Sequence, residues 1–324
     1  MFGKLRNFAF EGFTLDCRET GVAPVNHISV NGGSNVVRDV SLRGHRRVPK
    51  TGFEIAAADP SAEFLFENVE LPDGSTGGNA IYVFPKSVGK LTVRDCYVEH
   101  WAEGLYAAYH SGPLRVLGGY YANNGIDQVR VGGGHRGALV RGVTVRVDNP
   151  KRPEAKPNMR GIWLEEGGRA RVENCDIAIT DLTGTYSSGA IVVGYQFGTA
   201  TIENTRIRTD AVAPAINIRH SIDSLKGQFA PSLNRLPDEW PVTCRNVRIS
   251  GEASSGRTVL TDRRDDCLFD GVCIQHPNGS RDGFEISNTE GCAVRDSVIA
   301  VGGDAITTEG ATVVTNGVRE DGSC

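Results

Sequence analysis

The chain has 324 residues, with 40 glycines, 14 prolines and a formal net charge of −4. That length can hold one large core or two domains. A mildly negative chain without a basic block argues against a nucleic-acid partner, and no stretch approaches the roughly 18 apolar residues of a membrane-spanning helix.

From the N-terminus, Met1-Phe2-Gly3-Lys4-Leu5 lacks the apolar run of a signal peptide. Asn7 already occupies a repeat position, so the chain is expected to begin inside a coil, with a covering cap or leader upstream. The repeat is apolar–x–Asn/Asp/Gly–x–x–apolar. Its third position falls at Asn7, Asp39, Asn68, Asp95, Gly118, Gly142, Asn174, Asn204, Asn246, Gly271, Asp296 and Asn316. Each such unit reads as one coil of a stack. In Val36-Val37-Arg38-Asp39-Val40-Ser41-Leu42, alternation turns Val40 and Leu42 inward and Ser41 outward. Asn, Asp or Gly at the bend tolerates unusual backbone angles. One coil cannot bury its apolar face, but a stack can. The expected fold is all-β: a single domain over residues 1–324, a right-handed parallel β-helix of about eleven or twelve coils. Insertions are expected at 148–160, rich in proline and charge, and at 221–241, which carries Phe229, Leu236 and Trp240. In a repeat protein such insertions become loops beside the stack.

Carried on this repeat from about residue 3 to residue 318, the chain resembles the right-handed parallel β-helix of the pectate-lyase-like superfamily. The resemblance implies the fold and a range of activities: polysaccharide lyases, glycoside hydrolases, epimerases, viral tailspikes and adhesins. It also implies an extracellular or cell-surface setting. Asp265-Asp266-Cys267 is similar to the Asp-Asp-Cys of polygalacturonases, but the Gly-His-Gly and Arg-Ile-Lys partners of that family are missing.

Aligning the strand that precedes each bend gives a candidate site. The inward pairs are Ile81/Val83, Leu105/Ala107, Val129/Val131, Ile162/Leu164, Ile191/Val193 and Ile216/Ile218. Tyr82, Tyr106, Arg130 and Trp163 then form one outward stripe, followed by Val192 and Asn217, at about 4.8 Å per coil. Glu165 falls beside Gly132 and Gly194. Arg219 shares the second outward position with Glu165, and the exits add Lys86, Tyr109, His110, His135, Arg136, Glu166, Tyr195 and His220. Flat aromatic faces, planar cations and a carboxylate together suit a polysaccharide, an acidic one above all.

Hydrolysis needs two carboxylates about 5–9.5 Å apart. Glu165 is one candidate, and Asp262, three coils away, is too far to be its partner. Uronate β-elimination needs a cation for the substrate carboxylate, a base for the C5 proton and an acid for the leaving oxygen. Arg130, Arg136 or Arg219 suits the first role, and His110, His135, His220 or Tyr195 the others. Glu165 is kept among the catalytic candidates, with Tyr82, Tyr106, Tyr109, Trp163, Arg136, Glu166 and Asn217 as substrate-binding residues. The expected function is therefore a lyase or epimerase acting on a uronate-containing glycan. A non-catalytic glycan-binding or structural β-helix and a glycoside hydrolase are the alternatives. No cofactor or metal is read from the sequence; calcium, used by some superfamily members, is marked by no compact acidic cluster.

Eight cysteines do not make a disulfide scaffold at this length. Cys96 and Cys175 share an inward position three coils apart, and Cys244 reads as a core thiol. Cys267 and Cys292 each lie four residues before a bend in coils of equal length, so they should face each other, either bridged or as stacked thiols.

Overall fold

In the computed structural model, which describes residues 2–19, 21–150, 158–225 and 233–323, every strand pairs in parallel with a strand of an adjacent turn. The chain is all-β, a parallel β-solenoid of about ten turns in a single sheet, within one or two of the number the repeat predicts. The insertion residues 151–157 and 226–232, Phe229 among them, lie outside the described residues.

Each turn contributes strands to three faces. One turn uses Glu103–Ala107 on the first face, Leu114–Leu117 on the second and Tyr120–Ala122 on the third. Five turns fuse two of these strands. Ala9–Asp16, Gly33–Arg43 and Ala62–Leu71 run unbroken from the second face onto the third, and Met159–Glu173 and Ser187–Glu203 from the first face around the corner onto the second. Inward residues stack in register through the whole length, as in Ile81, Leu105, Val129, Ile162, Ile191 and Ile216. All six are fully buried. Aromatic pairs thicken this core, with Phe53 and Phe66 rings 5.2 Å apart and Phe269 and Phe284 rings 5.0 Å apart. Burying a large apolar side chain contributes about 1.5–3 kcal/mol, so the continuous stack is the main source of stability.

The bend between the second and third faces is left-handed in each turn. Asp39, Asn68, Asp95, Asn174, Asn204, Asn246 and Asp296 have φ between 44° and 55°, and Gly118, Gly142 and Gly271 between 63° and 66°. These are the residue types that tolerate such angles. Two end positions need correction. Pairing of Glu11 with Arg38 makes Gly12 (φ 78°) the first bend, not Asn7, whose side chain instead accepts from Ser34 N in a different row. Pairing of Arg295 with Asn316 makes Gly317 (φ 65°) the last bend, not Asn316.

Cys96, Cys175 and Cys244 are buried free thiols. Leu268 pairs with Ala293, so Cys267 and Cys292 are in register on adjacent turns as free thiols, and both Sγ atoms lie near the Arg264 carbonyl. Of the two versions expected, stacked thiols are the one present. Among the described cysteines, only Cys273 is disulfide-bonded.

Candidate functional site on the first face

The outward stripe exists in the expected register. Tyr82 pairs with Tyr106, Tyr106 with Arg130, Arg130 with Trp163, Trp163 with Val192, and Val192 with Asn217. Val192 keeps the outward register but is fully covered, and it divides the stripe into two unlike halves.

The first half is a packed charge network. Arg130 Nε and Nη2 donate to the two oxygens of Glu165 at 2.5 and 2.6 Å, and Nη1 donates to both oxygens of Glu103 at 3.2 Å. Its guanidinium carbon lies 3.9 Å from the Tyr106 ring centre and 4.3 Å from that of Trp163. Arg160 also lies over Trp163, at 3.5 Å, and donates to the fully buried Asp127. Burial first, and then Asp127, push the Glu103 carboxyl up to about 7 against the pull of Arg130. Burial works against the Arg130 charge, but Glu165, Glu103 and Asp127 outweigh it and raise its pKa. Arg130 is therefore already neutralised from two sides and does not offer a charge to a substrate carboxylate, as its sequence position had suggested. Glu165 is only 8% exposed, and the space expected beside it is filled by Arg130.

Nor are the tyrosines a row of flat faces. Tyr82 meets Tyr106 at 80° and Phe84 at 74°, with ring centres 5.2 and 5.3 Å apart, and Tyr109 tilts at 45° onto Tyr106. Edge-to-face packing satisfies the ring quadrupoles against one another and leaves no parallel platform.

The second half is open. Tyr195, Asn217, Arg219 and His220 line a groove of about 420 Å³, joined there by Asp262 and Glu285 from later turns. Arg219 lies over the Tyr195 ring at 5.1 Å, and the His220 ring centre is 4.5 Å from that of Tyr195. His220 Nδ1 is 3.6 Å from Asp262 and 3.4 Å from Arg263 Nη2. Asn217 is held by donating to Ser188 O at 2.8 Å. Among the described residues Arg219 makes no ion pair; it is a cation facing the groove with its charge unspent.

The remaining expected residues scatter. His110 is fully buried against Ser87 and the Pro113 carbonyl, and burial lowers its pKa to about 4, so it is a core histidine and not a groove edge. Glu166 is fully buried and Arg136 lies exposed outside the groove. His135 faces the second insertion, 3.2 Å from Asn234. That insertion packs over the loopless corner, where a Cβ on Gly198 would lie 2.7 Å from Pro237 Cβ. Asp265 and Asp266 sit at the corner beyond the first face, with Asp265 accepting from Glu290 N, and belong to no carboxylate group in the groove.

Four residues were missed or misplaced in the sequence. Glu103 and Asp127 lie before the aligned strand positions, where alternation gives no direction. Asp262 was measured only against Glu165, whereas its neighbour is His220. Arg264 is fully buried and donates to the carbonyls of Gly194, Phe197, Arg219 and Trp240 at 2.7–3.1 Å. It thereby fixes the backbone beside Tyr195, the backbone of Arg219 and the end of the insertion together. Only an arginine has the donors for this, but nothing in the local sequence marks it. Among the described residues no group of His, Cys, Asp or Glu is arranged to hold a metal ion.

Compared with family models, curated proteins and solved structures, the chain matches none.

Proposed function

We propose that the open groove binds an acidic, uronate-containing glycan and that the protein is a polysaccharide lyase or epimerase. The observation that carries this reading is Arg219, a groove-facing cation without an ion pair among the described residues, beside a histidine and a tyrosine. Arg219 would neutralise the substrate carboxylate, which makes the C5 proton acidic. His220, poised by Asp262, would remove that proton. In elimination the C5 electron pair forms the C4=C5 double bond as the C4–O bond breaks, and Tyr195 would return a proton to the leaving oxygen. In epimerisation the proton would return to the opposite face of C5. The repeat's resemblance to pectate-lyase-like proteins favours the same substrate class, and a substrate of that class places the work outside the cell or at its surface.

One observation favours hydrolysis as a second reading. Leu260 pairs with Glu285, so Asp262 and Glu285 are diagonal neighbours, about 7–8 Å apart at Cα, within reach of an inverting pair. Both are engaged, however, Asp262 by Arg263 and Glu285 by Arg257.

A panel of uronate polymers separates the readings. A lyase releases products that absorb in the near ultraviolet, because the new C4=C5 double bond is conjugated with the uronate carboxyl, together with new reducing ends. A hydrolase releases reducing ends without absorbance, and a binding module releases neither. We expect absorbance from the native chain, and a loss of at least about 100-fold in Arg219→Ala and His220→Gln. Full activity in either variant would remove that residue from the mechanism.

A further inference from the structure

A second concavity of about 510 Å³ lies on the third face, away from the groove. Its rim carries Arg146, Arg206, Arg208 and Arg248 against Asp148 and Asp176, a local positive excess on a chain of net charge −4. The register explains its shape. Arg146 pairs with Ala178, Ala178 with Arg208, and Arg208 with Ser250, so large cations alternate with small residues that leave floor between them. In the neighbouring row Asp176, Arg206 and Arg248 follow one another on successive turns. Asp176 is shared, accepting from Arg146 at 2.6 Å and Arg206 at 2.7 Å. Arg208 pairs with Asp210, and Arg248 makes no ion pair among the described residues. The Arg206 side chain is 74% exposed, and such exposed pairs exchange partners readily in water.

We propose that this concavity is a second binding site, for an extended sulfated or carboxylated glycan. The cations run along the stack from Arg146 to Arg248, three turns or about 14 Å. A single small anion needs convergent donors, whereas this line matches charges spaced along a polymer. Guanidinium forks suit carboxylate and sulfate alike. Among the described residues no aromatic side chain lines the concavity to stack a base, which disfavours single-stranded nucleic acid. The choice of a glycan rests on the reading of the first-face groove; the anion site itself does not.

The test is binding of a fluorescein-labelled heparin oligosaccharide by anisotropy across a salt series, with single-stranded oligo(dT) and neutral dextran in parallel. Arg206→Ala/Arg248→Ala should weaken heparin binding at least about tenfold and flatten its salt dependence. Its melting temperature should match the native chain, and Arg248→Gln, a milder change at one exposed side chain, should lose a smaller part in the same direction. Arg115→Ala, an exposed cation on the second face, should bind within about twofold of native, since charges this far apart are screened. Native-like binding by the double variant would overturn the site. An equal loss in Arg115→Ala would show that heparin follows the charge of the whole surface and would overturn it too. Tighter binding of oligo(dT) with the same arginine dependence would overturn the glycan class. Heparin binding that depends on Arg206 and Arg248 in a chain releasing no unsaturated product would keep this site and end the lyase reading alone.

Discussion

Arg130 and Arg219 occupy the same face, yet burial gives them opposite tasks. Arg130 is held by two carboxylates and flanked by two aromatic rings. Removing one member of a buried charge network leaves the others uncompensated, which costs about 3–5 kcal/mol. Arg130→Met should therefore destabilise the chain by that amount in denaturant unfolding. A loss below about 1 kcal/mol would mean that the network behaves as a surface pair. The stripe itself was legible in the sequence because alternation fixes which side a residue faces. Whether an outward residue is then covered was not legible. Val192 and Glu165 are buried by neighbours that come from other turns and from the corners, where no period applies.

At the scale of the strand and its bend, the repeat was read almost completely. Asn and Asp at αL announce themselves by type. The reading slipped only at Asn7 and Asn316, where a glycine carries the bend and a nearby asparagine imitates it. The residue just before the bend adds a further register signal: Glu11, Arg38, Glu67 and Arg94 alternate in sign on successive turns, and each pairs with the next along the stack or the one before. Arg38 contacts Glu11 at 2.6 Å, and Arg94 contacts Glu67. Exposed pairs of this kind add little stability, but a slipped turn would set like charges together. The bend can be tested at Asn174, with φ 54°. Asn174→Ala should cost about 1–2 kcal/mol for forcing a Cβ-bearing residue into the left-handed region, and Asn174→Gly should cost clearly less. Equal effects would show that the side chain, not the backbone angle, matters there.

For the molecule as a whole, buried titratable groups set opposing pH limits. His110 and His276 are lowered to about 4, by burial foremost. The unfolded chain binds protons below about 6.5 that these rings refuse, so their contribution is full above that pH and is lost toward about 4. Glu103 acts in the other sense. Its folded pKa of about 7 lies above the ordinary 4.5, so the native state holds a proton that the unfolded chain releases. That contribution is full below about 4.5 and is lost as pH rises to about 7. The stability of the native chain relative to Glu103→Gln should then fall by on the order of 3 kcal/mol between pH 4.5 and 7.5, followed by denaturant unfolding at each pH. A difference that stays constant with pH would show that Glu103 titrates like a surface carboxylate.

Asn246, Gly271 and Asp296 mark bends in register on successive turns, and the strands between them pair position by position. Residues 271–295 are thus a cassette whose two ends meet the same neighbours. Excising it would bring Asp270 to Asp296 and set Thr307 where Glu285 now stands beside Leu260, without shifting the phase of any other residue. The natural unit of gain and loss in this chain is the whole turn, and one such edit would redraw the far wall of the groove while leaving Tyr195, Arg219 and His220 untouched.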